Sequence, residues 1–250
     1  MSASGDGSFY IGYQPEAPAP IANFVRVVAA GLAGAAVAVS TVLALTQDRG
    51  DPGVFEFGHP RTVRGVLREH PYPSVTVPTG GLDSLVRYLL VAEGKHGAQA
   101  LAAGYDGQWV EVRGTRIARP EREMLQVVSE GITPSDPPPD LPVTPGLRHL
   151  GRRTLQGEIV DSKCWLGVMK PATGNVHRGC AARCLSSGIP PLLMIHLADG
   201  SVEHVLLTAA NGEPASDHYA GKAARPVRVT GELYEEGDLR ILRVETLTEN

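Results

Sequence analysis

Between Val27 and Gln47 the chain carries no charged residue, and the run is rich in Ala, Val, Leu and Gly. No other stretch limits the fold so strongly. Twenty-one residues, rising about 1.5 Å each as a helix, cross a hydrocarbon core of about 30 Å. The sequence therefore predicts one transmembrane helix at 26–47, after a flexible arm at 1–25. Ala30, Gly34 and Ala38 make a small-residue stripe that permits close packing on another helix, against the plainer reading of a lipid-facing surface. A cleaved signal peptide fits less well, because the preceding tail is long and not basic. That tail holds Phe9-Tyr-Ile-Gly-Tyr13 among Pro15, Pro18 and Pro20. It reads either as a disordered segment or as an arm whose aromatics meet a membrane interface or a partner subunit. Arg26 precedes the helix, while Arg49, Arg61 and Arg64 follow it. That count favours a cytoplasmic C-terminal part, but long domains translocate regardless of such charges, so the rule does not fix orientation.

Beyond Asp51 the pattern changes to short apolar-polar alternations cut by Gly, Pro and Asp, the signature of strands and turns. Two halves repeat. Thr62-Val-Arg-Gly65 matches Thr154-Leu-Gln-Gly157 at an offset of 92. Arg87–Val91 is matched to Pro190–Met194 at 103, and Val110–Val127 to Val227–Val244 at 117. The drift implies two insertions in the second copy, the first coinciding with its cysteines. About five strands per copy, with a helix or loop in the middle, resembles the oligonucleotide/oligosaccharide-binding (OB) barrel. The expected architecture is mainly β: two OB-fold-like small barrels in tandem, at 51–132 and 150–250, after the transmembrane helix. Six prolines between 134 and 145 make 133–149 a semi-rigid polyproline linker. Net charge is −4 and aromatics are 5%, which leaves no basic field or stacking surface and argues for no nucleic acid as a partner.

All three cysteines fall in one stretch, Cys164, Cys180 and Cys184, with His177 three residues before the second. Gly188 and Pro190-Pro191 stop the segment and Asn175 is the expected N-cap, giving a helix over Val176–Ser186. On that helix His177, Cys180 and Cys184 share an arc of about 60°. Cys180 and Cys184 cannot pair while the helix is intact, since i,i+4 Cβ atoms stand about 5–6 Å apart. A disulfide must use Cys164 and leave one thiol over. Three thiols and an imidazole are a metal-site composition, although the C-x15-C-x3-C spacing follows no common zinc-finger pattern. The expected ligands are Cys164, His177, Cys180 and Cys184, holding zinc, copper, iron or an iron–sulfur cluster. Asp161, His196, His204 and His218 are weaker candidates for its surroundings. The first copy is expected to be scaffold, with the chemistry confined to the second. Phosphate-binding loops, G-x-S-x-G and H-E-x-x-H are absent, so no catalytic residue is assigned.

The arm Phe9–Tyr13, the anchor, and the run Asp161-Ser-Lys-Cys164 … His177-Arg-Gly-Cys180-Ala-Ala-Arg-Cys184 … Gly188-Ile-Pro-Pro191 together resemble a group of uncharacterised bacterial membrane-anchored proteins. The resemblance implies a single-pass membrane protein with extracytoplasmic C-terminal domains, and no mechanism. The leading expectation is an accessory protein carrying a metal site, a subunit or partner of a membrane redox complex through Val27–Gln47 and the Phe9–Tyr13 arm. Two alternatives stand beside it. One is a thiol–disulfide or metallochaperone protein using Cys164 with Cys180 or Cys184; the other is a structural interaction module with a metal- or disulfide-stabilised insertion.

Overall fold

The computed structural model describes residues 17–46, 53–79, 84–120, 122–138 and 146–249. The Phe9–Tyr13 arm and the prolines of 139–145 lie outside the described residues. Helix α1, Ala19–Thr46, forms one unit by itself. It starts seven residues before the expected boundary, because Pro20 sits in the first turn, where a missing N–H costs nothing. The Ala22 N–H already closes on the Pro18 carbonyl (2.9 Å). At 28 residues, about 42 Å, it is long and apolar enough to cross a membrane.

The second unit is built from two closed five-stranded barrels. The first contains β1 (Val54–Arg68), β2 (Ser74–Pro78), β3 (Leu85–Val91), β4 (Trp109–Arg119) and β5 (Arg122–Pro134), with the short α2 (Gln99–Ala102) between β3 and β4. The second contains β6 (Arg148–Asp161), β7 (Pro191–His196), β8 (Val202–Ala209), β9 (Pro226–Glu236) and β10 (Leu239–Glu249). Helix α3 (Arg178–Leu185) lies between β6 and β7, and α4 (Ser216–Ala220) between β8 and β9. Each barrel closes in the order first, second, third, fifth, fourth strand, with the third and fifth parallel. These are OB-fold-like barrels in tandem. Alternation produces them: in β9, Val227, Val229, Gly231 and Leu233 point inward, while Arg228, Thr230 and Glu232 point outward or to the rim.

The repeated glycines have one physical cause in both copies. A Cβ on Gly65 would clash with the Thr76 carbonyl, and one on Gly157 with the Met194 carbonyl. Gly114 and Gly231 lie in the same way against Gln126 and Arg243. Only a residue without a side chain lets the strands close this tightly.

This register corrects the middle of the expected repeat. Gly65 faces β2 and Gly157 faces β7, so β7 is the counterpart of β2, not of β3. The parallel partners Leu89–Met124 in the first barrel and Leu206–Ile241 in the second are both offset by 117. The extra length of the second copy is therefore a single block. Five residues, 69–73, join β1 to β2, whereas 29 residues, 162–190, join β6 to β7. A short apolar run lacks the periodicity to separate strand two from strand three, which is why pattern matching misassigned it.

The barrels share a core. Tyr72, Leu89, Val91, Ile117 and Met124 of the first pack in one cluster with Val160, Leu192, Met194, Leu206, Leu239 and Ile241 of the second. Buried Arg87 donates to Glu236 (2.6 Å), and buried Arg122 donates to the side chain (3.0 Å) and carbonyl (2.9 Å) of Asp238. The Tyr72 hydroxyl donates to the Leu207 carbonyl (3.1 Å) and accepts the Ala215 N–H (3.0 Å).

Candidate functional site

The 162–190 connection folds around Asp161, the last residue of β6. Its side chain is fully buried, and Oδ1 accepts the Cys164 N–H (2.9 Å). That bond turns the chain out of the strand, as side-chain carboxylates do at the start of a helical turn. Cys164–Val168 then winds as one wide turn, closed from the Met169 N–H to the Cys164 carbonyl (3.3 Å). The chain returns past Gly174, whose N–H donates to Glu158 (2.6 Å), into α3. Helix α3 is capped at His177, not Asn175, and is shorter than the expected Val176–Ser186. The helix ends at Leu185, and the turn after it closes at Gly188, in the left-handed conformation (φ +87°), with the Ile189 N–H turned back onto the Cys184 carbonyl (3.2 Å).

The three thiols converge. Cys164 and Cys184 are buried, Cys180 is half-buried, all are free, and their sulfurs lie within 4.8 Å of one another. Cys164 Sγ and Cys180 Sγ are 3.9 Å apart. Two thiolates on one tetrahedral ion with bonds of about 2.3 Å stand about 3.8 Å apart, whereas a disulfide needs about 2.05 Å. The spacing suits a shared ion. His177 is placed differently from the expectation of one helical arc. Its Nε2 meets Asp161 Oδ2 at 3.0 Å, with both side chains almost fully buried. Asp161, Cys164 and His177 form a second close group, so Cys164 belongs to both. His177 shares no such group with Cys180 and Cys184. As the helix cap it stands where α3 begins, and Asp161 draws its ring toward β6. Of the weaker candidates, Asp161 joins the site and His204 lies behind it, while His196 and His218 are exposed.

The first barrel also enters the site, which sequence reasoning missed. Lys95, from the β3–α2 loop, donates to Cys180 Sγ (2.7 Å). Lys163, buried beside Cys164, donates to the carbonyls of Ala92 (2.8 Å) and Gly94 (2.6 Å) and so fixes the loop that carries Lys95. The Gly97 N–H meets the Ser187 carbonyl (2.9 Å), and the Gln99 side chain meets that of Gly188 (2.8 Å). The only local sign of this was a polar loop bracketed by Gly94 and Gly97. The first copy is therefore more than scaffold.

Electrostatics within the cluster are uneven. The hydrogen bond to Cys184, then burial, pushes the Cys164 thiol up; the same bond, aided by the charge of Lys95, holds Cys184 down against its own burial. Burial lowers Lys163 to about 8, although Cys184, Cys164 and Asp161 oppose it. The hydrogen bond to Cys180 raises Lys95.

No family model matches the chain, and no curated protein matches it. Among solved structures, it is similar to a deletion mutant of the single-stranded DNA-binding protein from Thermus aquaticus. The two are 12% identical, the match covers 80% of this chain and 95% of that one, and the TM-score is 0.22. The expectation that excluded nucleic acid is withdrawn: the similar chain is described as a single-stranded DNA-binding protein, which is said of that protein and assigns no nucleic acid to this one. A net charge summed over 250 residues does not report the charge of any one face, so the exclusion had no sufficient basis.

Behind the cysteines, Trp165 ties the barrels together. The Arg119 guanidinium lies 3.7 Å above its ring and Arg119 Nε donates to its carbonyl (2.7 Å), while the indole N–H donates to His204 Nε2 (2.5 Å). Burial, then the charges of Arg122 and Arg119, lowers His204 to about 4. An unfolded imidazole titrates near 6.5, so between those values the unfolded chain binds the extra proton. The stability that neutral His204 contributes is complete above about pH 6.5 and is lost as pH falls toward about 4. Denaturant midpoints measured from pH 7 to 4 should fall more steeply in the wild type than in His204→Gln. Parallel curves would remove His204 from the account.

Proposed function

We propose that this is a membrane-anchored protein whose second barrel holds a single soft metal ion, zinc or copper, on the thiolates of Cys164, Cys180 and Cys184. The convergence of three thiols from two separate turns, within 4.8 Å, carries the reading. Soft sulfur donors at that spacing suit such an ion. His177 is the fourth ligand in this proposal, although in the structure it shares no close group with Cys180 and Cys184: Asp161 holds Nε2, and the ring would have to turn its Nδ1 toward the thiols to reach the ion, with Asp161 fixing the tautomer. An ion supplies positive charge that lets three crowded sulfurs ionise together. Elemental analysis of anaerobically purified protein should give one metal per chain.

The Lys95 contact supports a second reading. The Lys95 ammonium stands 2.7 Å from the half-buried Cys180 sulfur, the kind of partner found beside exchange-active cysteines. In that reading Cys180 and Cys164 give up two electrons and two protons to form a disulfide, and a partner's disulfide takes them up to become two thiols. Metal-free protein with one titratable dithiol per chain would establish it over the metal centre.

The anchor rests on α1. Full-length protein should stay in the membrane fraction after high-salt washing, and residues 53–249 alone should be soluble. Uncleaved full-length protein in the soluble fraction would rule the anchor out. On the extracytoplasmic side, such a protein would suit an accessory role beside a membrane redox enzyme.

A further inference from the structure

The connection that carries the thiols contains no acid. Residues 162–190 include Lys163, Lys170, Arg178 and Arg183 but neither Asp nor Glu, in a chain of net charge −4. Lys163 is engaged inward by two carbonyls. Lys170 and Arg183 are exposed and Arg178 is half-buried; none of the three forms an ion pair among the described residues. Four arginines of the barrels, Arg64, Arg116, Arg148 and Arg225, are by contrast paired with carboxylates. Arg183 follows Cys180 by three positions on α3, on the neighbouring part of the helix surface. Lys95 is exposed, and the loop bearing it is pinned in place with its nitrogen on the Cys180 sulfur. Glu93 is the one acid on that loop, and the Asp161 carboxylate is buried against His177. Solvent reaches the sulfur cluster at Cys180, because Cys164 and Cys184 are covered.

We propose that Cys180 is the contact point for a small anionic thiol or disulfide, whose negative group is received by Lys95 and Arg183. The cation nearest the sulfur stands 2.7 Å from it. The matching charge must therefore lie close to the ligand's own sulfur, which a small molecule provides. The inference uses the thiol cluster of the proposed centre but does not require the metal.

Two probe disulfides test it on the full-length protein: anionic dithiobis(nitrobenzoate) and neutral dithiodipyridine. With either, the Cys180 thiolate forms a mixed disulfide with one half, and the other half leaves as a thiolate. The ratio of the two rate constants, divided by that for free N-acetylcysteine amide, a thiol with no charge of its own, isolates the effect of the protein's charge. At low salt this ratio should exceed unity by about tenfold, as expected for a focused field. It should collapse toward unity near molar salt, where the screening length is about 3 Å. Lys95→Gln and Arg183→Gln should each reduce it severalfold, Lys95→Arg should preserve it, and Lys222→Gln, a charge already neutralised by Glu249, should leave it unchanged. Peptide mapping should place the first label on Cys180. A ratio of unity that ignores salt and Lys95→Gln, or a first label on Cys164 or Cys184, would overturn the proposal. Metal content measured on the same samples separates the two readings. Anionic preference without metal defeats the metal centre alone; metal without preference defeats this inference alone.

Discussion

Replacing Cys164, Cys180 or Cys184 by Ser, one at a time, should each remove most of the metal from the purified protein. The cause is geometric. Three sulfurs held within 4.8 Å leave no spare thiol, and a hydroxyl is a much poorer donor to a soft ion. Cys164→Ser should do the most damage, because Cys164 belongs to both close groups and its N–H is what Asp161 grips. His177→Ala should also lose metal, and Asp161→Asn should weaken binding about 10–100-fold by releasing the imidazole. Metal per folded chain, with folding checked by circular dichroism, is the measurement. A structural disulfide gives another pattern: one silent cysteine, two equivalent ones and a harmless His177→Ala. That result would sink the four-ligand centre.

The second large effect concerns the two barrels. Residues 146–250 expressed alone should not form a native metal site, although they contain every proposed ligand. Removing the first barrel strips Tyr72, Leu89, Val91, Ile117 and Met124 from the shared core. It also leaves Glu236 and Asp238 without their buried arginines. A buried side chain of this size contributes about 1.5–3 kcal/mol, against a total stability of about 5–15 kcal/mol for a folded protein. The loss is comparable to the whole. Residues 53–249 should therefore unfold in urea as one transition, with tryptophan fluorescence and far-ultraviolet circular dichroism coinciding. An isolated second barrel that unfolds cooperatively and binds metal with unchanged affinity would contradict this.

Much of this was legible in the sequence, for reasons that differ by feature. Alternation and turn residues foretold strands, because burial on one face of a sheet imposes a period of two. Gly65, Gly157, Gly114 and Gly231 betrayed the repeat, because strand crowding tolerates nothing larger. The three cysteines marked their site by being the only ones. What escaped were relations between distant segments. Lys95 reaches Cys180 across 85 positions, and Arg87 reaches Glu236 across 149; no local pattern encodes such pairs. The fused core escaped for another reason. A residue facing a partner barrel and one facing its own barrel are apolar alike, so the sequence suggested two separable beads. His177 was placed on the thiol face by helical spacing alone, and Asp161 supplied the competing attraction.

The grip of Lys163 on Ala92 and Gly94 has a thermodynamic corollary. The residue next to a proposed ligand holds a loop of the other barrel, and that loop holds another ligand's sulfur. Should the angle between the barrels vary, occupancy of the sulfur cluster would be linked to it through these contacts. Linkage is reciprocal: if an ion at the cysteines favours one angle by a given factor, a force that imposes that angle tightens the ion by the same factor. Tethering that prises the barrels apart would then loosen the cysteines' hold on their cargo, with no ligand ever touched.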